Sequence, residues 1–404
     1  MTTVEKLNYL ISIKSDIKTA IENKGVDMTG VSFLGYASKI GEIVSVVGYT
    51  DRDVIEGRYQ YNISNSASFV YSSAFEYKSV QTVDLPNCLY VGNKAFFYCT
   101  SLTTVNLPSC TALHNYAFKS CWNLSSISLP NVNNLSAYCL ANCSALQTIS
   151  LPKCSYLSRY AFLSCSSLSQ VSLPVCEFIN DWAFGHCTSL LKLSLPVCSY
   201  IGSNAFYDCR SLKQIILPEC QIIKDNAFGG SADLNIKTLE LPKCEYIGNG
   251  AFSHQTQLEL SGTLNLPKCS YIGSGAFDEC WALKYISLPN CEYIGSSAFD
   301  NCSITSLDLP KCSYIGSWAF TMCNLSQVKL SICSYLGDSV FYMCNELTEI
   351  YLYYSGVCSL GSGVLSYTPF ASGSGSIYVP ASLVNAYKSA TNWSQYSNRI
   401  YSIR

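Results

Sequence analysis

The sequence predicts a right-handed solenoid, built mainly of β-strand with short helical turns, preceded by a helical segment and closed by a helical cap. Three observations lead there. A Leu-Pro pair or its degenerate equivalent returns thirteen times between Leu85 and Leu352. Its step is 22 residues, broken only by 24 and 25 after Leu217 and Leu241 and by 21 twice near the end. Most intervals fill the same slots with the same residue types, and no single interval can bury its own apolar side. Stacked turns share one continuous core, which is how a period this short becomes stable.

The first element, residues 1–48, has a different pattern. Val4, Leu7, Leu10, Ile11, Ile13, Ile17, Ala20 and Ile21 recur at three and four, with Lys and Asp or Glu between them, and Gly25 follows as a helix stop. After the loop VDMTG, the positions Phe33, Tyr36, Ala37, Ile40 and Ile43 suggest a second helix. The pair reads as a helical hairpin with one apolar face. It is either a cap on the first solenoid turn or an assembly device, because an apolar stripe flanked by charge also lets short helices form bundles.

The second element, residues 49–376, is the repeat itself. Counting from the Leu of Leu-Pro, Cys stands at slot three, Tyr or Phe at five, Ile or Leu at six and often Gly at seven. Ala-Phe follows at ten and eleven, Cys at fourteen, Leu at seventeen and an aliphatic residue at twenty. Leu283, Ile286 and Leu288 bracket polar Ser287, the alternation that a half-buried strand requires. The Ala-Phe segment is too short for a freestanding helix and reads as a turn, or one helical turn, that plugs its Phe into the core. Proline after each strand removes a backbone donor and ends the ladder. Parallel strands joined by such crossovers imply right-handed winding.

The third element, residues 377–404, reads as a cap: a last strand, an amphipathic helix carrying Leu383 and Tyr387 toward the core, then Trp393. An open solenoid end exposes core and unpaired strand edges, so a cap is physically required.

The repeat resembles the BspA-like bacterial leucine-rich repeats, whose core has the form I-x-x-x-A-F-x-x-C-x-x-L-x-x-I-x-L-P. The match runs through Ile272, Ala276, Phe277, Cys280, Leu283, Ile286, Leu288 and Pro289, and equally through Ile201, Ala205, Phe206, Cys209, Leu212, Ile215, Leu217 and Pro218. The resemblance spans about residues 60–393 and implies a leucine-rich-repeat solenoid. It also implies an adhesin-type function, binding host or microbial surface proteins or glycans. The N-terminal stretch KLNYLISIKSDIKTAIENKGVDMTG is similar to a short module of tail-associated proteins of bacteriophages and prophages, which implies a virion component released by lysis.

The 23 cysteines occupy two ladders rather than a disulfide framework. Eleven fill slot three and ten fill slot fourteen, with Cys139 and Cys358 in an Ala and an Ile position. An odd total and repeated equivalent neighbours specify no pairing, so the expectation is small buried free thiols and a reducing or anaerobic setting. No Cys-x-x-Cys pair is present, so no metal is expected, and no cofactor motif is found. Net charge is −2, which invites neither nucleic acid nor an anionic membrane. No signal peptide, membrane span or lipid anchor is read from the sequence, so synthesis in the cytoplasm is expected, followed by release in a virion or by another export route.

Chemistry has little to work with. His114, His186 and His254 lie in different turns, and Asp278, Glu279 and Asp300 come closest to a carboxylate pair, so no catalytic residue and no enzyme is expected. Binding is the better reading, and two surfaces compete. One is the hydroxyl-rich strand face Thr103, Thr104, Asn106, Ser125, Ser126, Ser128, Gln147, Thr148, Ser150, Ser169, Gln170 and Ser172. The other is the slot-five aromatic column, with Tyr200, Tyr246, Tyr271, Tyr293 and Tyr314 as ligand-binding candidates; the insertions between Leu217 and Leu266 are a third place to look. The expected partner is a protein or glycan on a cell surface, with self-association through residues 1–48. The leading reading is a prophage or phage tail-associated surface-binding protein, and the alternative is the adhesin.

Overall fold

A computed structural model describes residues 62–64, 68–230, 239–254 and 263–403. The hairpin expected over residues 1–48, and Ser231 and Gln255 in the two irregular repeats, lie outside the described residues. Elsewhere the chain winds as a solenoid in which a typical coil contributes two short parallel strands and one turn.

The expected strand near slot twenty is present in coil after coil. Thr104–Asn106 and Ser126–Ser128 each bury only their central residue, Val105 or Ile127, and pair in parallel register, Thr104 with Ser126 and Asn106 with Ser128. A second ladder at slots five and six is longer. It joins 14 two-residue strands in chain order, from Phe69–Val70 to Ser359–Leu360. Two residues are too few to show alternation in sequence, yet the coil-to-coil repeat supplies each with a partner. In Tyr271–Ile272, paired with Tyr293–Ile294, the Ile is buried and the Tyr faces out.

The Ala-Phe segment takes the turn rather than the helical alternative. Its alternate amides leave the coil: Lys94 N–H donates to Asn115 O at 3.0 Å, Phe96 to Ala117 at 2.8 Å and Tyr98 to Lys119 at 2.9 Å. The amides between them close back locally, as Phe97 N–H does on Lys94 O at 3.1 Å. This alternation places slots nine and thirteen in the left-handed region even for large side chains, such as Tyr138 at φ 57° and Asn142 at φ 60°. That conformation costs about 1–2 kcal/mol per residue, and the amides it turns toward the next coil recover part of that cost as hydrogen bonds.

Inside, the Phe rings stack along the axis, Phe252 on Phe277 and Phe277 on Phe299, each with centroids 5.3 Å apart. All 23 cysteines are buried and free. They fill space as expected, and they also donate. The slot-fourteen thiols reach a carbonyl one coil back, as Cys302 Sγ does to Phe277 O at 3.2 Å, whereas Cys291 Sγ in slot three bonds Tyr293 O of its own coil at 3.3 Å. Weak S–H donors thus satisfy carbonyls sealed from water. Cys358 does not fill an Ile position; it lies against the Cys333 thiol and continues the slot-three ladder. The loop after Leu352 is two residues longer than its predecessor's, since Ser359 pairs with Tyr335.

The cap closes the last coil through buried polar contacts. Tyr387, in the helix Val384–Ser389, accepts from Cys358 N–H at 2.9 Å and donates to Gly356 O at 3.2 Å. Trp393 Nε1 donates to Cys358 O at 2.7 Å, and Asn392 Nδ2 to Leu360 O at 2.7 Å. Leu383 is half-buried, in the 3-10 turn Ala381–Leu383 that precedes the helix. A strand after the cap, Ile400–Ser402, pairs with Ser376–Val379 and was not legible in the sequence.

Candidate recognition surfaces

Each candidate tyrosine stands on a two-residue strand whose second residue is an inward Ile, so the ring faces solvent and is half-buried by its neighbours. The structure gathers four of the five. Tyr246, Tyr271, Tyr293, Tyr314 and the adjoining Tyr335 form one parallel stack, with centroid spacings of 4.7, 4.8, 4.9 and 5.0 Å. Tyr200 is separated from Tyr246 by Ile222 and belongs to a looser group, tilted 42° against Phe178 at 6.4 Å.

Slot seven sets the approach of the coils, and it does so at Gly202 after Tyr200 as well, where a Cβ falls 2.5 Å from Asp181 N; Tyr200 stands outside the tight stack with Phe178 and Ile222, not tyrosines, as its neighbours. In the tight stack the strand residues are followed by Gly248, Gly273, Gly295, Gly316 and Gly337. A Cβ on Gly295 falls 2.5 Å from Ser274 N, and one on Gly316 falls 2.5 Å from Ser296 N, so only glycine permits this approach of one coil to the next. After Tyr156 and Phe178 the same slot holds Ser158 and Asn180, and those rings stand 6.4 Å apart and tilted.

Ring faces within the stack are covered by their neighbours, leaving edges and hydroxyls to solvent. Partial burial first, and then adjacent tyrosines or Asp225, hold the phenols of Tyr246, Tyr271, Tyr293 and Tyr314 above their ordinary range. The stack therefore displays a row of neutral O–H groups, and Lys224 covers its first ring at 4.9 Å.

The sequence reading missed a second stack at slot nine. Tyr116, Tyr138, Tyr160 and Trp182 lie nearly parallel, at 4.9, 4.4 and 6.5 Å, with Lys119 over Tyr138 at 4.7 Å. Four consecutive aromatics in that slot were the available signal. The hydroxyl-rich face is partly engaged by the fold: Thr103 Oγ1 donates to Gln81 O at 3.0 Å, and Ser125 Oγ to Thr103 O at 3.1 Å.

Among the described residues, histidines meet carboxylates in two places. His186 and His254, sharing slot thirteen, each contact an acid one coil on, Asp208 and Glu279, both at 3.0 Å. Burial, then Asp278 and Glu279, pushes Asp300 up to about 6, and Asp278 is raised in the same sense. Glu279 is held by His254, which leaves Asp278 and Asp300 as a half-buried carboxyl pair on the Phe turns of adjacent coils. Among the described residues no group of three His, Cys, Asp or Glu side chains is arranged to hold a metal ion, and no helix is long and apolar enough to cross a membrane.

A family model described as the BspA type leucine rich repeat region (6 copies) matches residues 68–191, 177–289 and 270–394. No curated protein matches the chain. A leucine-rich repeat protein from Bacteroides ovatus is 22% identical, with a TM-score of 0.64 over 85% of this chain and 92% of its own. The pneumococcal vaccine antigen PcpA is 16% identical, with a TM-score of 0.44 over 85% of both chains. A Treponema pallidum leucine-rich repeat protein is 26% identical, with a TM-score of 0.35 over 38% of this chain and 78% of its own.

Proposed function

The chain belongs to the BspA type leucine rich repeat family, and from that premise we propose that it is a non-enzymatic recognition protein whose tyrosine stack contacts a protein on a cell surface. Repeat proteins of this kind are generally binding scaffolds with extended surfaces. The observation that carries the proposal is the parallel, half-exposed stack from Tyr246 to Tyr335. Tyrosine combines a rigid apolar body with a polar tip and is enriched where proteins meet. The covered faces favour a protein over a glycan on this strip, because a sugar stacks on an open ring face and these rings present edges and hydroxyls.

The test compares the labelled full chain with the variant Tyr271→Phe/Tyr293→Phe/Tyr314→Phe on panels of bacterial and mammalian cells. Phenylalanine keeps the stack and removes its hydroxyl row. Loss of cell binding with unchanged thermal stability supports the proposal, and full retention of binding removes the stack from recognition.

For residues 1–48 we propose an assembly role, which goes with the tail-associated reading and its virion carrier; the adhesin needs no such device. Light scattering of the full chain and of residues 49–404 separates the two. An oligomer that becomes a monomer on truncation supports assembly, and a monomeric full chain favours the adhesin.

A further inference from the structure

The last coil departs from the repeat. Where the coil before advances eight residues from Phe341 to Glu349, this one advances eleven from Leu365 to the paired Ser376, an insertion of three residues within the segment Ser366–Ser374, reading SYTPFASGS. The segment is anchored from below by Phe370, which is buried and meets Tyr396 edge to face at 6.4 Å. Gly375 takes φ 92°, and a Cβ there lands 2.9 Å from the Phe370 ring. Thr368 Oγ1 donates to Leu365 O at 2.7 Å, and Ser372 Oγ to Pro369 O at 3.0 Å. The insertion is thus a folded ledge rather than a loose connection.

Between this ledge and Asn345 of the coil before lies a shallow open cleft of about 930 Å³. No residue lining it is charged: the polar groups are Asn345, Ser366, Tyr367, Thr368, Ser372 and Ser374. Tyr367 is 64% exposed and meets Tyr342 at 70°, centroids 5.2 Å apart. Unlike the rings of the slot-five stack, it is not sandwiched. Tyr342 in turn contacts Trp318 at 5.7 Å, so aromatics from three coils lead into the cleft.

We propose that this cleft binds a neutral oligosaccharide. Hydroxyl and amide side chains both donate and accept, which matches the mixed donors and acceptors of a sugar ring. The open face of Tyr367 offers the negative π surface on which polarised sugar C–H groups pack. A phosphate or sulfate ester finds no cation among the lining residues, and an apolar ligand finds no enclosed pocket. The inference goes beyond the tyrosine stack and does not rest on it.

Saturation-transfer NMR on the full chain tests it, with maltohexaose, cellohexaose and N-acetylchitopentaose as neutral probes and a heparin hexasaccharide as the anionic one. At least one neutral probe binds, Tyr367→Ala and Asn345→Ala each weaken that binding tenfold or more, and Tyr285→Ala, on an exposed residue elsewhere, leaves it unchanged. Asn345→Ala lies outside the ledge and keeps the test valid if Tyr367→Ala disturbs the insertion. The inference fails if no neutral probe binds, if only the heparin fragment binds, or if neutral binding survives both cleft variants.

Discussion

The rings of Tyr293 and Tyr314, one coil apart, lie 4.9 Å apart at an interplanar angle of 0°. Their backbones are paired in parallel register, and glycines at 295 and 316 let the coils close to the spacing at which rings stack. Gly295→Ala forces a Cβ to within 2.5 Å of Ser274 N. The expected result is a loss of about 1–3 kcal/mol from overpacking, together with a weaker near-ultraviolet tyrosine signal. An unchanged spectrum contradicts the role given to glycine.

Tyr293 carries two ring contacts, each worth about 0.5–1.5 kcal/mol. Tyr293→Ala is expected to lower stability by about 1–3 kcal/mol, and Tyr293→Phe to change it little. Chemical denaturation of the two variants checks the difference; equal losses mean that the hydroxyl, not the stack, stabilises the fold.

The cysteine ladders set an alkaline limit. Burial pushes Cys88 up to about 11, and Cys110 and Cys165 up to about 12, from an ordinary value of 9.0. A raised folded-state pKa contributes stability that is whole below pH 9 and lost as pH rises toward 11 to 12. Each such thiol costs about 1.4 kcal/mol per pH unit in that window. Denaturation midpoints are expected to be flat with respect to thiol ionisation below pH 8 and to collapse above pH 9. A midpoint that holds at pH 10.5 contradicts the burial of the ladders.

Asp300 works in the acid range. Its folded pKa is raised from 3.8 to about 6, so its contribution is whole below pH 3.8 and is lost as pH rises through 6. Asp300→Asn is expected to stabilise the protein at pH 7 by about 1 kcal/mol, allowing for solvent screening of a half-exposed group, and to have little effect at pH 3.5. Stabilisation equal at both pH values means that neither burial nor the neighbouring carboxylates penalise the ionised Asp300.

Trp393 seals the last coil. Trp393→Ala is expected to cost about 3–5 kcal/mol. Hydrogen exchange should rise first in the strands Glu349–Leu352 and Ser376–Val379, because a solenoid transmits disturbance only to adjacent coils. Uniform loss of protection along the chain contradicts a local cap.

Periodicity made the coil, the inward Phe and the outward Tyr legible, because each is dictated by a slot that recurs. Features that depend on how the coils stack or depart from the repeat were not. The Tyr-Ile strands are two residues long and gain a ladder only when stacked. The tight stack over Tyr246–Tyr335 has a ring spacing that appears only once the coils are paired, since a slot-seven glycine, Gly202, also accompanies the looser Phe178–Tyr200 pair. The cleft beside Tyr367 arises from an insertion, and an insertion has no counterpart in the repeat from which to predict its shape. Cys358 was misplaced for a related reason, since a two-residue register change cannot be seen until the strands pair.

The central claim is that the slot-five face makes the contact, and hydroxyl-radical footprinting of the full chain bound to cells tests it most directly. The account predicts protection of Tyr271, Tyr293 and Tyr314, with Trp281 and Tyr285, exposed by 50% and 53% on another part of the coil, modified as in the free protein. Protection of Trp281 and Tyr285 with the stack left reactive places the contact elsewhere and contradicts it.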